Sequence, residues 1–259
     1  MLASILNIMF TPLLLTLVAA LPQDAPPAPV PASAPVPTYT SLMAEFEQAM
    51  GTWQEKMVAM QESGEWEFIP MPTSDFFDKF RIIAKDSYAP PTDRGNSQLW
   101  CLQNFTNAGI NWKDPKKSAA SLAKKFILEF ANHELAEAGI QTFSILSWQL
   151  GMELSNGLLT DLGKASKDVE IKASCQVAVA SNYKHEESEE KAEAICDEVI
   201  KKFPKTKAAK AAKQILNQIH NLKVGAIAPS FAGKDVDGNP LALEDFRGKV
   251  TLVNFWGFW

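Results

Sequence analysis

Three cysteines, Cys101, Cys175 and Cys196, are the side chains of this 259-residue sequence best suited to covalent chemistry. A thiolate attacks disulfides, and a second thiol within reach resolves the mixed disulfide that forms. The arrangement that does this best is Cys-x-x-Cys at the start of a helix, where unpaired N–H groups and the macrodipole lower the first thiol's pKa. No Cys-x-x-Cys occurs in the sequence. Cys101, within LWCLQN, reads as core. Cys175 and Cys196 fall on the apolar faces of consecutive helices, at similar distances from the turn near Tyr183. They could pair in an oxidising compartment or remain buried thiols, and their Cα separation decides between the two.

Other chemistry-bearing residues are sparse. His133-Glu134 matches the start of the zinc-protease helix motif, but the position four residues on, where a second His is needed, is Glu137. His185 and His220 lack partners at ligand spacing. No Gly-rich phosphate loop, paired-carboxylate motif or nucleophile elbow is present, so no catalytic, cofactor-binding or metal-binding residue is assigned and no cofactor is expected. Lys201, Lys202, Lys205, Lys207, Lys210 and Lys213 are interleaved with an apolar stripe, which marks a solvated helix face rather than a nucleic-acid patch. A net charge of −5 points the same way.

The elements that position these residues are helical. Leu42, Phe46, Ala49, Met50, Trp53, Met57 and Met60 make a first amphipathic helix, stopped by Gly64 and Pro70-Met71-Pro72. Further helices are expected over 75–85, 96–104, 115–138 and 140–150, with Gly139 as a break. Trp53, Trp66, Trp100, Trp112 and Trp148 are expected in the core of this body. Ala192, Ile195, Cys196, Val199, Ile200 and Phe203 share one stripe, and Ala208, Ala211, Ala212, Ile215, Leu216 and Ile219 repeat its spacing after Pro204. That pattern predicts an αα-hairpin, similar to the second half of a tetratricopeptide-type unit. The helical domain, a bundle or short TPR-like array, is placed at 39–222.

The tail differs. APSFAGKDVDGNPLAL reads as two short extended runs around Asp237-Gly238-Asn239, hence a β-hairpin. LEDFRG reads as one helical turn closed by Gly248, and Val250 to Phe255 as a strand buried on both faces. Ala228-Pro229, Phe231, Asp235, Asp237-Gly238, Leu243, Asp245-Phe246-Arg247-Gly248-Lys249 and Val253-Asn254-Phe255-Trp256 with Trp259 follow in an order and spacing that resembles the opening of thioredoxin-like redoxin domains. The likeness is to the exported, TlpA/ResA-type thiol-disulfide oxidoreductases of the wider AhpC/TSA superfamily. It implies that 223–259 is the N-terminal fragment of a thioredoxin-like α/β domain, that Trp259 stands just before the position of the redox-active Cys-x-x-Cys, and that this chain is redox-inactive by itself. It also implies disulfide-containing protein substrates and a membrane or soluble reductant for the complete protein. A peroxiredoxin-like antioxidant is the alternative within the same superfamily.

At the other end, residues 1–20 hold no charged side chain and finish in Val18-Ala19-Ala20, the pattern of a secretory signal peptide, with a retained membrane anchor as the alternative. Residues 21–38 form a Pro/Ala-rich linker expected to be extended. The expected location is periplasmic or extracellular. Two functional readings follow: the N-terminal part of an exported oxidoreductase, or an exported helical interaction protein whose redoxin segment is vestigial.

Overall fold

The computed structural model describes residues 37–110, 112–185, 188–254 and 257. The expected signal peptide and nearly all of the linker lie outside them. Among the described residues the chain is mainly helical, with one small antiparallel sheet near its C-terminal end. No described helix is long and apolar enough to cross a membrane.

The helices are α1 (Tyr39–Ser63), α2 (Thr73–Lys85), α3 (Pro91–Gln103), α4 (Pro115–Phe130), α5 (Ala136–Leu150), α6 (Met152–Ala165), α7 (Val169–His185), α8 (Glu189–Lys202) and α9 (Lys207–Asn221). Their ends follow local chemistry. Thr38 Oγ1 accepts from the Ser41 N–H to start α1, and Gly64 ends it in the left-handed region at φ 75°. Pro91 opens α3 at the first turn, where its missing N–H costs nothing. Asp114 caps α4 and Thr206 caps α9 through side-chain oxygens. Gly151, at φ 100°, is the single residue joining α5 to α6, a turn that a side chain would strain.

Two expectations change here. The helix expected over 115–138 ends at Phe130, and Gly139 does not break the chain but sits inside α5. A Cβ at Gly139 would lie 2.6 Å from Phe126 Cε1, so this glycine lets α5 approach the buried Phe126 ring. Close approach, rather than chain reversal, accounts for it. Trp66 and Trp148 are exposed, at 67% and 80%, and do not join the core expected for them. Trp100 is buried, while Trp53 and Trp112 are half-buried with their indole N–H groups donating to the carbonyls of Ile69 and Phe105.

The interior forms two clusters. The larger runs from Leu42 in α1 through α2–α6 to Cys175 in α7 and is rich in aromatics: Phe80 stacks on Trp100 with centroids 4.0 Å apart, and Phe126 meets Phe143 edge-on at 5.9 Å. The smaller is built from alanines, Cys196, Val199 and Ile219 across α7, α8 and α9. Every residue of the two stripes predicted to face inward from α8 and α9 is buried or half-buried, and Phe203–Thr206 makes the turn between them. The six lysines of that hairpin are all exposed.

Candidate functional site

The C-terminal segment carries the most specific sequence signal, and its geometry is built from one aspartate outward. Strand β1 (Ala232–Lys234) pairs antiparallel with β2 (Pro240–Ala242), Gly233 opposite Leu241. Between them Asp235 Oδ1 accepts from the backbone N–H groups of Asp237 and Asn239 at 2.9 and 2.8 Å, while Oδ2 accepts from Asn239 Nδ2 at 3.0 Å. These bonds favour the ionised carboxyl and hold its pKa below the ordinary value, Asn239's side chain contributing most. Gly238, at φ 86°, completes the reversal. A 3-10 turn, Leu243–Phe246, follows, with Asp245 Oδ2 accepting from the Ala242 N–H at 2.9 Å. Hydrogen bonding from Ser230, chiefly, lowers the Glu244 pKa in the same stretch.

Of the doubly buried strand expected over Val250 to Phe255, residues 250–254 pair with nothing among the described residues, and Phe255 lies outside them. Val250 and Leu252 are 106% and 93% exposed. A strand of the parallel or mixed type needs neighbours on both edges and cover on both faces, and the described residues supply neither. The segment instead forms an open cup of about 760 Å³ lined by Ile227, Phe231, Leu243, Phe246 and Val253. None of its described residues belongs to either interior cluster of the helices.

The thiols lie elsewhere and are free and buried. Cys175 belongs to the larger interior cluster and Cys196 to the smaller. Desolvation pushes Cys101 and Cys175 up to about 12 and Cys196 to about 11, so all three stay protonated near neutral pH. His133 is half-buried, its Nδ1 accepting from the Leu135 N–H at 3.3 Å. No group of three or more metal-ligating side chains occurs among the described residues. His220 pairs with Glu193, and His185 meets the edge of Trp148. None of these is brought to the hairpin.

One side-chain cluster escaped the sequence reading. Arg81 and Lys85 on α2 and Lys117 and Lys125 on α4 gather around a single cleft. Their spacings, four and eight residues, would have signalled two basic helix faces, but not that the faces meet.

The fold defines a mainly helical protein with a small C-terminal hairpin carrying redoxin-like residues. Short similarity to thiol-disulfide oxidoreductase ResA accompanies it: 42% identity over 38 residues with the protein of Bacillus thuringiensis subsp. konkukian, covering 15% of this chain and 22% of that one. With ResA of Geobacillus thermodenitrificans the identity is 47% over 36 residues, 14% of this chain and 21% of the relative. The chain thus spans about a fifth of the length of the curated relatives it matches. No protein-family model matches it, and no solved structure does.

Proposed function

We propose that the segment from residue 223 onward is the opening of a thioredoxin-like domain, and that the complete protein is an exported thiol-disulfide oxidoreductase acting on disulfide-containing proteins. The observation that carries the proposal is the local similarity to ResA, which we assign to this segment on the redoxin-like residues it contains. The hairpin locked by Asp235 and the turn at Leu243–Phe246 are consistent with that assignment. Export rests on the leader-like residues 1–20. In these 259 residues the three thiols are buried and protonated, and no Cys-x-x-Cys occurs, so this chain should not reduce insulin disulfides above the dithiothreitol background. Turnover at the level of a Cys-x-x-Cys enzyme would overturn the inactivity. Reading the coding sequence beyond the Trp259 codon tests the family assignment: a Cys-x-x-Cys supports it and unrelated sequence overturns it.

A second reading, an exported helical interaction protein, is favoured by one feature of the interior. Both clusters of buried residues lie within Leu42–Ile219 and include no described residue of the C-terminal segment. Residues 38–222 should therefore unfold cooperatively when expressed alone, and an aggregated or molten product counts against an autonomous interaction module.

A further inference from the structure

We propose that the cleft between α2, α3 and α4 binds an amphipathic carboxylate, with its hydrocarbon body on an aromatic floor and its charge at a rim of four cations. The inference is independent of the redox reading. The cleft has a volume of about 520 Å³, within the range of about 300–1,000 Å³ typical of small-molecule sites. Its accessible apolar surface comes from half-buried Trp112 and Leu122, with the buried rings of Phe77 and Phe105 completing the aromatic lining. Phe105 and Trp112 are stacked, centroids 4.4 Å apart and planes 14° from parallel, and the indole N–H donates to the Phe105 carbonyl, so the floor is held in place before any ligand arrives.

The rim sets the sign of the ligand. Arg81, Lys85, Lys117 and Lys125 line the cleft and, among the described residues, no acidic side chain does, in a chain whose net charge is −5. Two of the cations are partly answered from outside: Arg81 by Asp78 at 2.8 Å, and Lys125 by Glu129 at 3.8 Å, a carboxylate that Arg94 already holds at 2.8 Å. Lys125 Nζ also donates to the Ala84 carbonyl at 3.4 Å across the cleft. Lys85 and Lys117 have no carboxylate within ion-pair distance among the described residues. Asp114, the nearest acid along the chain to Lys117, is engaged by that residue's backbone N–H at the start of α4. Two cations without counter-carboxylates on facing helices, above an apolar floor, suit one compact anionic group attached to an apolar body. A fully hydrophilic polyanion would gain nothing from the floor, and a cation would meet like charge.

Calorimetric titration of the full chain with decanoate, below its micellar range, and with decyltrimethylammonium, which has the same apolar chain and opposite charge, tests this. Decanoate should bind saturably at one site and at least about tenfold more tightly than the cation. The Lys85→Gln/Lys117→Gln variant, which alters exposed side chains only, should weaken decanoate about tenfold and leave the cation no weaker. Raised ionic strength on the unaltered chain should weaken decanoate alone, a readout that needs no variant. Absence of saturable decanoate binding, equal binding of both probes, or indifference to the double substitution and to salt would each overturn the proposal.

Discussion

Phe77, Phe126, Phe143 and Val199 in the helical body are at most 1% exposed, whereas Val224, Val236, Val250 and Leu252 in the C-terminal segment are 93% to 106% exposed. The residue types are alike; their neighbours are not. In the body an apolar stripe on each helix finds a stripe on the next, and each large side chain removed from water contributes about 1.5–3 kcal/mol. In the segment the organising forces are local hydrogen bonds around Asp235 and Asp245, which shape a turn without fully burying any described side chain. A short hairpin of that kind is marginal by itself. The contrast shows that the strand propensity of VTLVN is insufficient when no second strand lies beside it among the described residues.

Truncating one buried ring should separate the two regions most clearly. Phe126→Ala should cost about 3–5 kcal/mol in denaturant unfolding, while Leu252→Ala should stay within about 0.5 kcal/mol. A similar cost for both would break the contrast, because it would mean that the segment is packed in solution. The smaller-effect counterpart lies within the body. Gly139→Ala adds a methyl against Phe126 and should destabilise by about 1–3 kcal/mol, outweighing a helix-propensity gain of about 1 kcal/mol. Gly51→Ala in α1, where nothing lies within 4 Å of the added carbon, should show that gain undiminished. Equal signs for the two glycines would remove the close-packing account of Gly139.

The buried thiols give a pH test. Cys101 and Cys175 rise from 9.0 in the unfolded chain to about 12 when folded, so the stability they contribute is full below about pH 9 and is lost as pH rises toward 12. A chain with both replaced by Ala should lose part of the alkaline slope of its melting temperature, and an unaltered slope would show that the thiols are not desolvated. Next comes Glu170, whose two carboxylate oxygens accept from the backbone N–H groups of Lys207 and Ala208 at 2.9 and 2.8 Å, capping α9 from α7. Glu170→Ala should cost about 1 kcal/mol, read by chemical denaturation; no loss would show that the cap is replaced by water. The smallest global effect is expected in the segment. Asp235→Ala should speed amide exchange at Asp237 and Asn239 with no measurable change in the melting temperature. Because the Asp235 pKa is lowered by folding, the hairpin's support from it is present above the unfolded value and fades as pH falls through the folded one. A shift of the whole-chain transition on Asp235→Ala would instead tie the hairpin to the helical interior.

Much of the body was legible in the sequence because its signals are periodic and local. The Phe203-Pro204 break, the two matched stripes of α8 and α9 and the glycine after α1 each state their structure within a few residues. The hairpin was legible for the same reason, since the residues around Asp237-Gly238-Asn239 carry their own turn chemistry. Misread positions share a different property. Gly139 signals a break by itself, because a glycine's local meaning is ambiguous until the ring across from it is known. Trp66 and Trp148 have the size of core residues, but their neighbours do not extend to cover them.

The sequence by itself determined that this protein is a run of amphipathic helices followed by a redoxin-like hairpin, because apolar spacing and turn residues act over less than about 18 positions. Beyond the hairpin of α8 and α9, only the tertiary structure decided which helices touch. It decided that Cys175 and Cys196 enter separate interior clusters, that the carboxylate of Glu170 reaches the start of α9, and that basic faces on α2 and α4 enclose one aromatic-floored cleft. Each of these depends on distance between residues remote along the chain, and that distance is set by how the helices pack rather than by any spacing within them.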